Sequence, residues 1–436
     1  MAYSPVDVIG VFVWGQWVGA IALNPDTGFY AFGYDDDWIA TGVELAPFHM
    51  PLRSDPYEFP HLSPDTFYRL PALIADALPD KFGNALVDAW MSENGVERDE
   101  VTPLDRLAYA ADRAMGALTF EPPAGAPTEG PAIIQVADLV LAARSTVHGD
   151  ASTEGGLNEA LRQLIQVGTS AGGARAKAVI LFNRDTAQIR SGHAEQEDGF
   201  DHYLLKLDGV ANFGMDGRVD DLGASAPYGR IEYAYYRMAT DAGVRMEPSE
   251  LLPEGPRAHF LTRRFDRGTI GERHHVISLC ALDHLDFNMA GTHSYDQYLD
   301  AVSRLNLGPE AMNQAYRRMV FNVVAVNRDD HTKNLAFLLR EGGEWELAPA
   351  FDVTYAHNAA GSWTQRHQMR VNGKTEEITL SDLHAVGDRH DVPGYKHVVV
   401  EVLEAVSSWA EYAREAGVPD KERERIGEDM TRFRPT

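Results

Sequence analysis

Short β-rich runs alternating with turns dominate the first third of the chain. Residues 8–14 and 17–23 are rich in β-branched and aromatic side chains. Asn24-Pro25-Asp26-Thr27-Gly28 supplies a turn, and Phe29-Tyr30-Ala31-Phe32 opens another strand. The pattern then becomes helical. One helix is predicted over 64–78, and a second follows Leu78-Pro79-Asp80 and ends near Gly95. Residues 115–120 read as a strand entering a loop rich in Pro, Gly and Ala at 121–131. A polar stretch near Gly149, between two helical patterns, marks the better domain boundary.

Beyond about residue 165, strands are predicted over 177–182, 202–207 and 258–262. Between the last two, Ile231, Tyr235, Met238 and Ala242 share one helical face, and Gly243 sits where a left-handed cap is common. Helical patterns prevail from residue 275. Met312, Tyr316, Met319, Val323 and Val326 form one apolar stripe, which Asn327-Arg328-Asp329-Asp330-His331-Thr332-Lys333-Asn334 breaks abruptly. An apolar strand at 335–339, a turn at Glu341-Gly342-Gly343 and a strand at 345–348 lead to Pro349-Ala350-Phe351-Asp352. The predicted domains are 1–148, β-rich with helices; 149–266, a strand-rich lobe; and 267–436, a helical lobe.

With 436 residues, 44% of them hydrophobic, the chain has material for two or three cores. The net charge of −26 disfavours nucleic acid and anionic membranes as general partners. DNA contact would need a partner or a local cluster such as Arg263-Arg264 or Lys421, Arg423 and Arg425. Cys280, the one cysteine, lies in an apolar run and reads as a small core residue. No basic leader and no run long enough for a bilayer is evident, so the expected location is cytoplasmic, away from membranes.

The polar run carries the candidate chemistry. Asp329 and Asn334 stand five positions apart, and Asp352 follows after a hairpin. This order resembles the catalytic core of a protein kinase: a base, a metal-binding amide, then a metal-binding carboxylate. The spacing selects Asp329 over Asp330 as the group that receives or orients the acceptor hydroxyl. His331 is expected to support the loop by hydrogen bonding. Lys206 lies on an apolar strand with a helix downstream carrying Glu232, the kind of pair that aims an ammonium at the α/β-phosphates. The small-residue loop at 168–177, with Arg175 and Lys177, suits close approach to phosphates. His274, His275 and His284 have no metal-ligand spacing.

Taken together, these segments resemble the HipA-like serine/threonine kinases, the toxins of bacterial HipBA-type toxin–antitoxin modules, over nearly the whole chain. Ser170-Ala171-Gly172-Gly173-Ala174-Arg175-Ala176-Lys177 is similar to the family's phosphate loop, with Ala where many members have Pro or Glu before the lysine. Leu205-Lys206, the helix with Glu232, Arg264-Phe265-Asp266-Arg267, Asp329-x-His331-x-x-Asn334 and Ala348-Pro349-Ala350-Phe351-Asp352 match its other motifs. Leu78-Pro79-Asp80 and Gly116-Ala117-Leu118-Thr119-Phe120-Glu121-Pro122 resemble its extra amino-terminal region. The resemblance implies an α+β, two-lobed protein-kinase-like fold with an appended amino-terminal β-rich domain. It implies ATP and Mg²⁺ as cofactors, Asn334 and Asp352 as metal ligands, and Asp329, Lys206 and His331 in the catalytic set. Nucleotide contacts would come from Ser170, Ala171, Gly172, Gly173, Ala174, Arg175, Lys177, Lys206, Glu232, Arg263 and Phe265, with Asn334 and Asp352. The substrate would be a protein, an aminoacyl-tRNA synthetase being one candidate, whose inactivation would slow growth and produce persistence. The partner would be a HipB-like helix-turn-helix antitoxin, with DNA contacted through that complex. Ser170 is the implied autophosphorylation site, and residues 353–366 the activation segment. A small-molecule kinase on the same core, or a catalytically weak co-repressor, are the other classes this residue set permits.

Overall fold

A computed structural model describes residues 5–124, 134–140, 143, 176–210, 227–268, 271–361 and 363–431. The chain divides into two compact units. The first comprises Met1–Ala226, Leu252–Ile277 and Arg340–Gly342; the second comprises Pro227–Leu251, Ser278–Leu339 and Gly343–Thr436.

The first unit contains two sheets. β1 (Val8–Val13), β2 (Gln16–Leu23), β3 (Tyr30–Tyr34) and β4 (Leu118–Glu121) form an antiparallel sheet in the order β3-β2-β1-β4. Ile9, Val11, Val13 and Phe120 are buried on it. Short helices α1 (Asp36–Thr41), α2 (Pro64–Phe67) and α3 (Ala72–Ala75) follow, then α4 (Lys81–Glu93) and α5 (Pro103–Ala110). A capping box between Thr102 and Asp105 starts α5. The helix predicted over 64–78 is in fact broken. Tyr68 and Arg69 take left-handed φ values of 54° and 62°, and Pro71, which lacks an N–H and disfavours helix at Leu70, restarts the chain as α3.

The second sheet runs β6-β5-β7-β9-β8, from β5 (Lys177–Asn183), β6 (Gln188–Ser191), β7 (Asp201–Lys206), β8 (Ser249–Glu254) and β9 (Arg257–Arg263). β5, β7 and β9 match sequence patterning. β6 and β8 escape it because they are short or only half-buried and so lack an apolar period. Phe82, Leu86, Val87 and Met91 of α4 pack with Ala178, Ile180, Tyr203, Leu205 and Leu261 into one core.

Asp266 ties the two sheets of this unit together. It is fully buried and accepts from Arg264 Nε at 2.9 Å, Arg267 Nη1 at 2.6 Å and the Gly116 N–H at 2.8 Å. Burial alone would raise its carboxyl; the Arg264 and Arg267 guanidiniums outweigh that and hold it far below the usual range. Gly116 sits at φ +80°, where a Cβ would stand 3.0 Å from the Val276 backbone nitrogen, so a side chain there is excluded twice.

The second unit is mainly helical. It contains α6 (Tyr228–Asp241), α7 (Leu279–Leu282), α8 (Tyr295–Arg304), α9 (Gly308–Val324), α10 (Leu380–Arg389), α11 (Tyr395–Ser407), α12 (Trp409–Glu415) and α13 (Asp420–Met430). β10 (His275–Ser278) leads into α7, and β11 (Ala336–Leu339) pairs antiparallel with β12 (Trp345–Leu347). The fold class is therefore α+β with a β-rich amino-terminal region. No helix among the described residues is long and apolar enough to cross a membrane.

Three histidines of the first unit are held neutral. Burial pushes His275 down to about 4 and His202 down to about 3, and burial, then the Arg113 charge, holds His193 well below its ordinary value. The folded form thus binds fewer protons than the unfolded chain below pH 6.5. Its stability is complete above that value and falls as pH drops toward the folded values, by about 1.4 kcal/mol per pH unit for each histidine. Urea unfolding of this unit should therefore show a midpoint that is level above pH 6.5 and falls steeply from there to pH 5, and His275→Gln should flatten the slope by about one proton. A pH-independent midpoint would contradict the neutral state of these histidines.

Candidate active site

The site begins where α9 ends. Asn327 N–H reaches the Asn322 carbonyl at 2.9 Å and Val326 N–H reaches the Val323 carbonyl at 3.4 Å, the two bonds of a Schellman turn. The left-handed position belongs to Val326, at φ 58°, where glycine is the usual occupant. A β-branched residue there costs on the order of 1–3 kcal/mol. The apolar stripe that included Val326 therefore stops at Val323 as a helical feature: Val326 is buried, but off the helix. Two backbone bonds with Ala356 then hold the chain, from Arg328 N–H at 3.0 Å and back from Ala356 N–H to the Val326 carbonyl at 3.3 Å. Thr332 Oγ1 donates to the Leu285 carbonyl at 2.7 Å and starts the short 3₁₀ turn Thr332–Asn334.

This path separates the two aspartates. The Asp330 side chain is fully buried and accepts from Tyr295 Oη at 2.9 Å, His367 Nδ1 at 2.9 Å and Gln368 N–H at 2.8 Å. Burial, and then the Asp330 charge, holds the Tyr295 phenol well above its ordinary value, so it remains a donor. Asp329 keeps 40% of its side chain exposed, and one oxygen accepts from Trp363 Nε1 at 2.7 Å. Asp330 is thus a structural hub, and Asp329 faces the pocket.

Asn334 donates through Nδ2 to the Asp329 carbonyl at 2.9 Å, which leaves its amide oxygen as the end available to a ligand. Across the β11–β12 hairpin, Arg318 Nη2 donates to the Ala348 carbonyl at 2.6 Å and Ala350 N–H to the Arg245 carbonyl at 2.9 Å. These bonds place Asp352, at φ 53°, in the wall of the pocket that Asp329 and Asn334 line. Two carboxylates and an outward amide oxygen form a hard-oxygen donor set that fits a divalent cation such as Mg²⁺.

The remaining predicted residues fall elsewhere. Lys206 ends β7 in the first unit, with Nζ 5.9 Å from the Phe260 ring centroid. Glu232 is buried in α6 of the second unit. Arg263 is half exposed and pairs with Asp201 at 3.3 Å, and Phe265 is half-buried beside the Asp266 cluster. Lys177 requires a correction. Expected beside a phosphate, it is the first residue of β5, with Nζ buried 3.4 Å from Asp80, because an ammonium out of water needs a nearby anion. His331 is also corrected. Its nearest acid oxygen, on Asp329, is 3.7 Å away, and it supports the loop by ring packing against Phe287 and Trp363. Ser170, Ala171, Gly172, Gly173, Ala174 and Arg175 lie outside the described residues.

Sequence reading missed the residues that organise the site. Tyr295, Asn322, His367 and Gln368 reach it from other elements, and Trp363 reaches Asp329 from 34 positions away. A tryptophan amid Gly, Ser, Thr and Asn in the 353–366 stretch was the one available signal. Tyr355 Oη to Asp429 at 2.5 Å, with Arg425 Nη1 to Tyr355 Oη at 2.9 Å, anchors the start of that stretch to α13.

A half-exposed carboxylate, an outward amide and a second carboxylate thus line one pocket. Comparison with known proteins places it more narrowly. The model for the HipA-like C-terminal domain matches residues 169–434, and that for the HipA N-terminal domain matches 9–121. The chain therefore belongs to the HipA-like family. Among solved structures, the Shewanella oneidensis MR-1 HipA, from a complex of HipA, HipB and operator DNA, overlays with a TM-score of 0.63 at 15% identity. That match covers 97% of this chain and 94% of the other. The Helicobacter pylori proinflammatory kinase CtkA overlays with a TM-score of only 0.34 at 11% identity, covering 61% of this chain and 94% of the other. No curated protein matches the sequence.

The two adjacent aspartates should behave oppositely on substitution. Asp330→Ala strips three donors of their acceptor and should lower unfolding free energy by about 2–4 kcal/mol. Asp329→Ala should stay within about 0.5 kcal/mol of the parent. Chemical denaturation of both variants checks this, and equal effects would refute the division of roles.

Proposed function

We propose that the protein is an ATP-dependent serine/threonine protein kinase of the HipA type, with Mg²⁺ as its metal. The observation that carries this reading is the pocket wall that Asp329, Asn334 and Asp352 share; Asp330 lies in the same wall, but its buried carboxylate is taken up by Tyr295, His367 and Gln368. Asn334 Oδ1 and the Asp352 carboxylate would hold the cation, which neutralises charge on the triphosphate when bound. Asp329, with one oxygen tied to Trp363, presents its other oxygen to the acceptor hydroxyl and takes its proton as the oxygen attacks the γ-phosphorus, while the bond from that phosphorus to the β–γ bridging oxygen breaks and ADP leaves. Lys206 is the proposed partner of the α/β-phosphates, and residues 170–175 are further proposed nucleotide contacts.

Ser170 is the proposed site of self-modification. Its phosphate would add about −1.5 to −2 charge close in sequence to Arg175. Lys177, the other cation of that segment, is paired with Asp80 at 3.4 Å. The HipB and operator DNA in the Shewanella complex support a HipB-like antitoxin as the partner of this chain, with DNA reached through it. The substrate would be a cellular protein, an aminoacyl-tRNA synthetase among the candidates.

Asp329→Ala should lower phosphoryl transfer roughly 10²–10⁴-fold while ATP binding, followed by calorimetry, is retained. Labelled ATP incubated with cell lysate and separated into protein and small-molecule fractions should place the label on protein, and the Asp329→Ala enzyme should leave it unplaced. Label confined to small molecules would overturn the protein-kinase reading.

A further inference from the structure

A chain of hydrogen bonds runs from Asp330 to the pocket wall, and its direction is set at the carboxylate. Asp330 only accepts, so the Tyr295 hydroxyl donates to it at 2.9 Å. With its hydrogen used, Tyr295 Oη accepts, and Asn322 must present Nδ2 to it, again at 2.9 Å. That turns Asn322 Oδ1 toward Asn327, which must offer Nδ2 in return, at 2.9 Å. The Asn327 amide therefore has one allowed orientation, with Oδ1 facing away from Asn322.

Asn327 is 97% buried, yet this oxygen accepts no hydrogen bond from the described residues. A buried amide oxygen without a partner costs on the order of 1–3 kcal/mol, so the position calls for a ligand that supplies positive charge or a donor. Asn327 lines the same pocket as Asp329, Asn334 and Asp352. Asn334 repeats the arrangement: its nitrogen is tied to the Asp329 carbonyl and its oxygen is left for the pocket. The grip on Asn327 is double, since the Asn322 carbonyl also holds its backbone N–H at 2.9 Å.

We propose that Asn327 Oδ1 is a further oxygen ligand of the divalent cation, reached directly or through one cation-bound water, and that the Asp330–Tyr295–Asn322 relay fixes it in that role. The proposal rests on the kinase reading of the pocket. It adds a neutral oxygen to the donor set of Asn334 and Asp352, which leaves the charge of the site unchanged while raising its coordination toward the six that Mg²⁺ requires. The strained left-handed turn at Val326 is then the backbone device that carries Asn327 off the helix axis into the wall.

The test measures cation binding rather than turnover. Full-length protein is titrated with Mn²⁺ in the presence of a non-hydrolysable ATP analogue, with free Mn²⁺ read by electron paramagnetic resonance. Asn327→Ala should weaken Mn²⁺ binding about tenfold or more, within the range known for altered metal surroundings. Tyr295→Phe keeps the ring but removes the hydroxyl that orients Asn322, and should weaken Mn²⁺ binding severalfold from outside the pocket. Asp352→Ala serves as the control for the site itself. Wild-type affinity in folded Asn327→Ala protein overturns the proposal. Should Asn327→Ala fail to fold, unchanged affinity in Tyr295→Phe overturns it. Wild-type protein that binds no Mn²⁺–nucleotide, or Asp352→Ala protein that binds it fully, would instead overturn the kinase reading on which the proposal stands.

Discussion

A carboxylate with no exposed surface stays in place only if donors surround it, and Asp330 is such a group at the centre of the candidate active site. Its three donors come from α8, in Tyr295, and from the 367–368 stretch, in His367 and the Gln368 backbone. Satisfying that one charge therefore fixes the loop at 327–334 against a helix before it and a strand-like segment after it. The neighbouring Asp329 is left at the surface of the pocket by the same act, because adjacent residues on an extended stretch point to opposite sides.

The polarity imposed at Asp330 does not stop at its first partners. A hydroxyl that donates must elsewhere accept, and an amide that donates on one side presents oxygen on the other. The orientation of Tyr295 thus determines that of Asn322, and Asn322 that of Asn327. The backbone contributes its own constraint. A valine occupies the left-handed position of the turn that ends α9, a strained choice that persists because the surrounding hydrogen bonds over-determine it. The first unit shows the same logic in Asp266, whose charge organises Arg264, Arg267 and the backbone at Gly116. In both units a buried anion joins segments distant in sequence that apolar packing alone would leave free to shift.

Family membership sits well with this picture. The matches to both HipA domain models and the overlay on the Shewanella HipA establish the fold, whereas the chemistry rests on particular side chains. The amide and carboxylate oxygens around the pocket suit a hard cation. The indole N–H of Trp363 orients one edge of Asp329 and leaves the other to a hydroxyl.

Local properties of the chain determined a good deal. Alternation located β1, β2, β5, β7 and β9, and the 3.6-residue period located α6 and α9, since burial on one face writes itself into neighbouring residues. The five-residue interval from Asp329 to Asn334, followed by a hairpin and Asp352, marked the candidate site, because the chemistry needs those groups close along the chain. The break at Tyr68 and Arg69 and the half-buried β6 and β8 left too weak a period to read. Which charge is buried was decided by tertiary structure alone: Lys177 turned inward to Asp80, Asp330 inward to Tyr295 and His367, and Asp329 outward to Trp363. Those outcomes depend on partners between 34 and 97 positions away, and the balance between desolvation and a distant counter-group has no signature in the residues on either side.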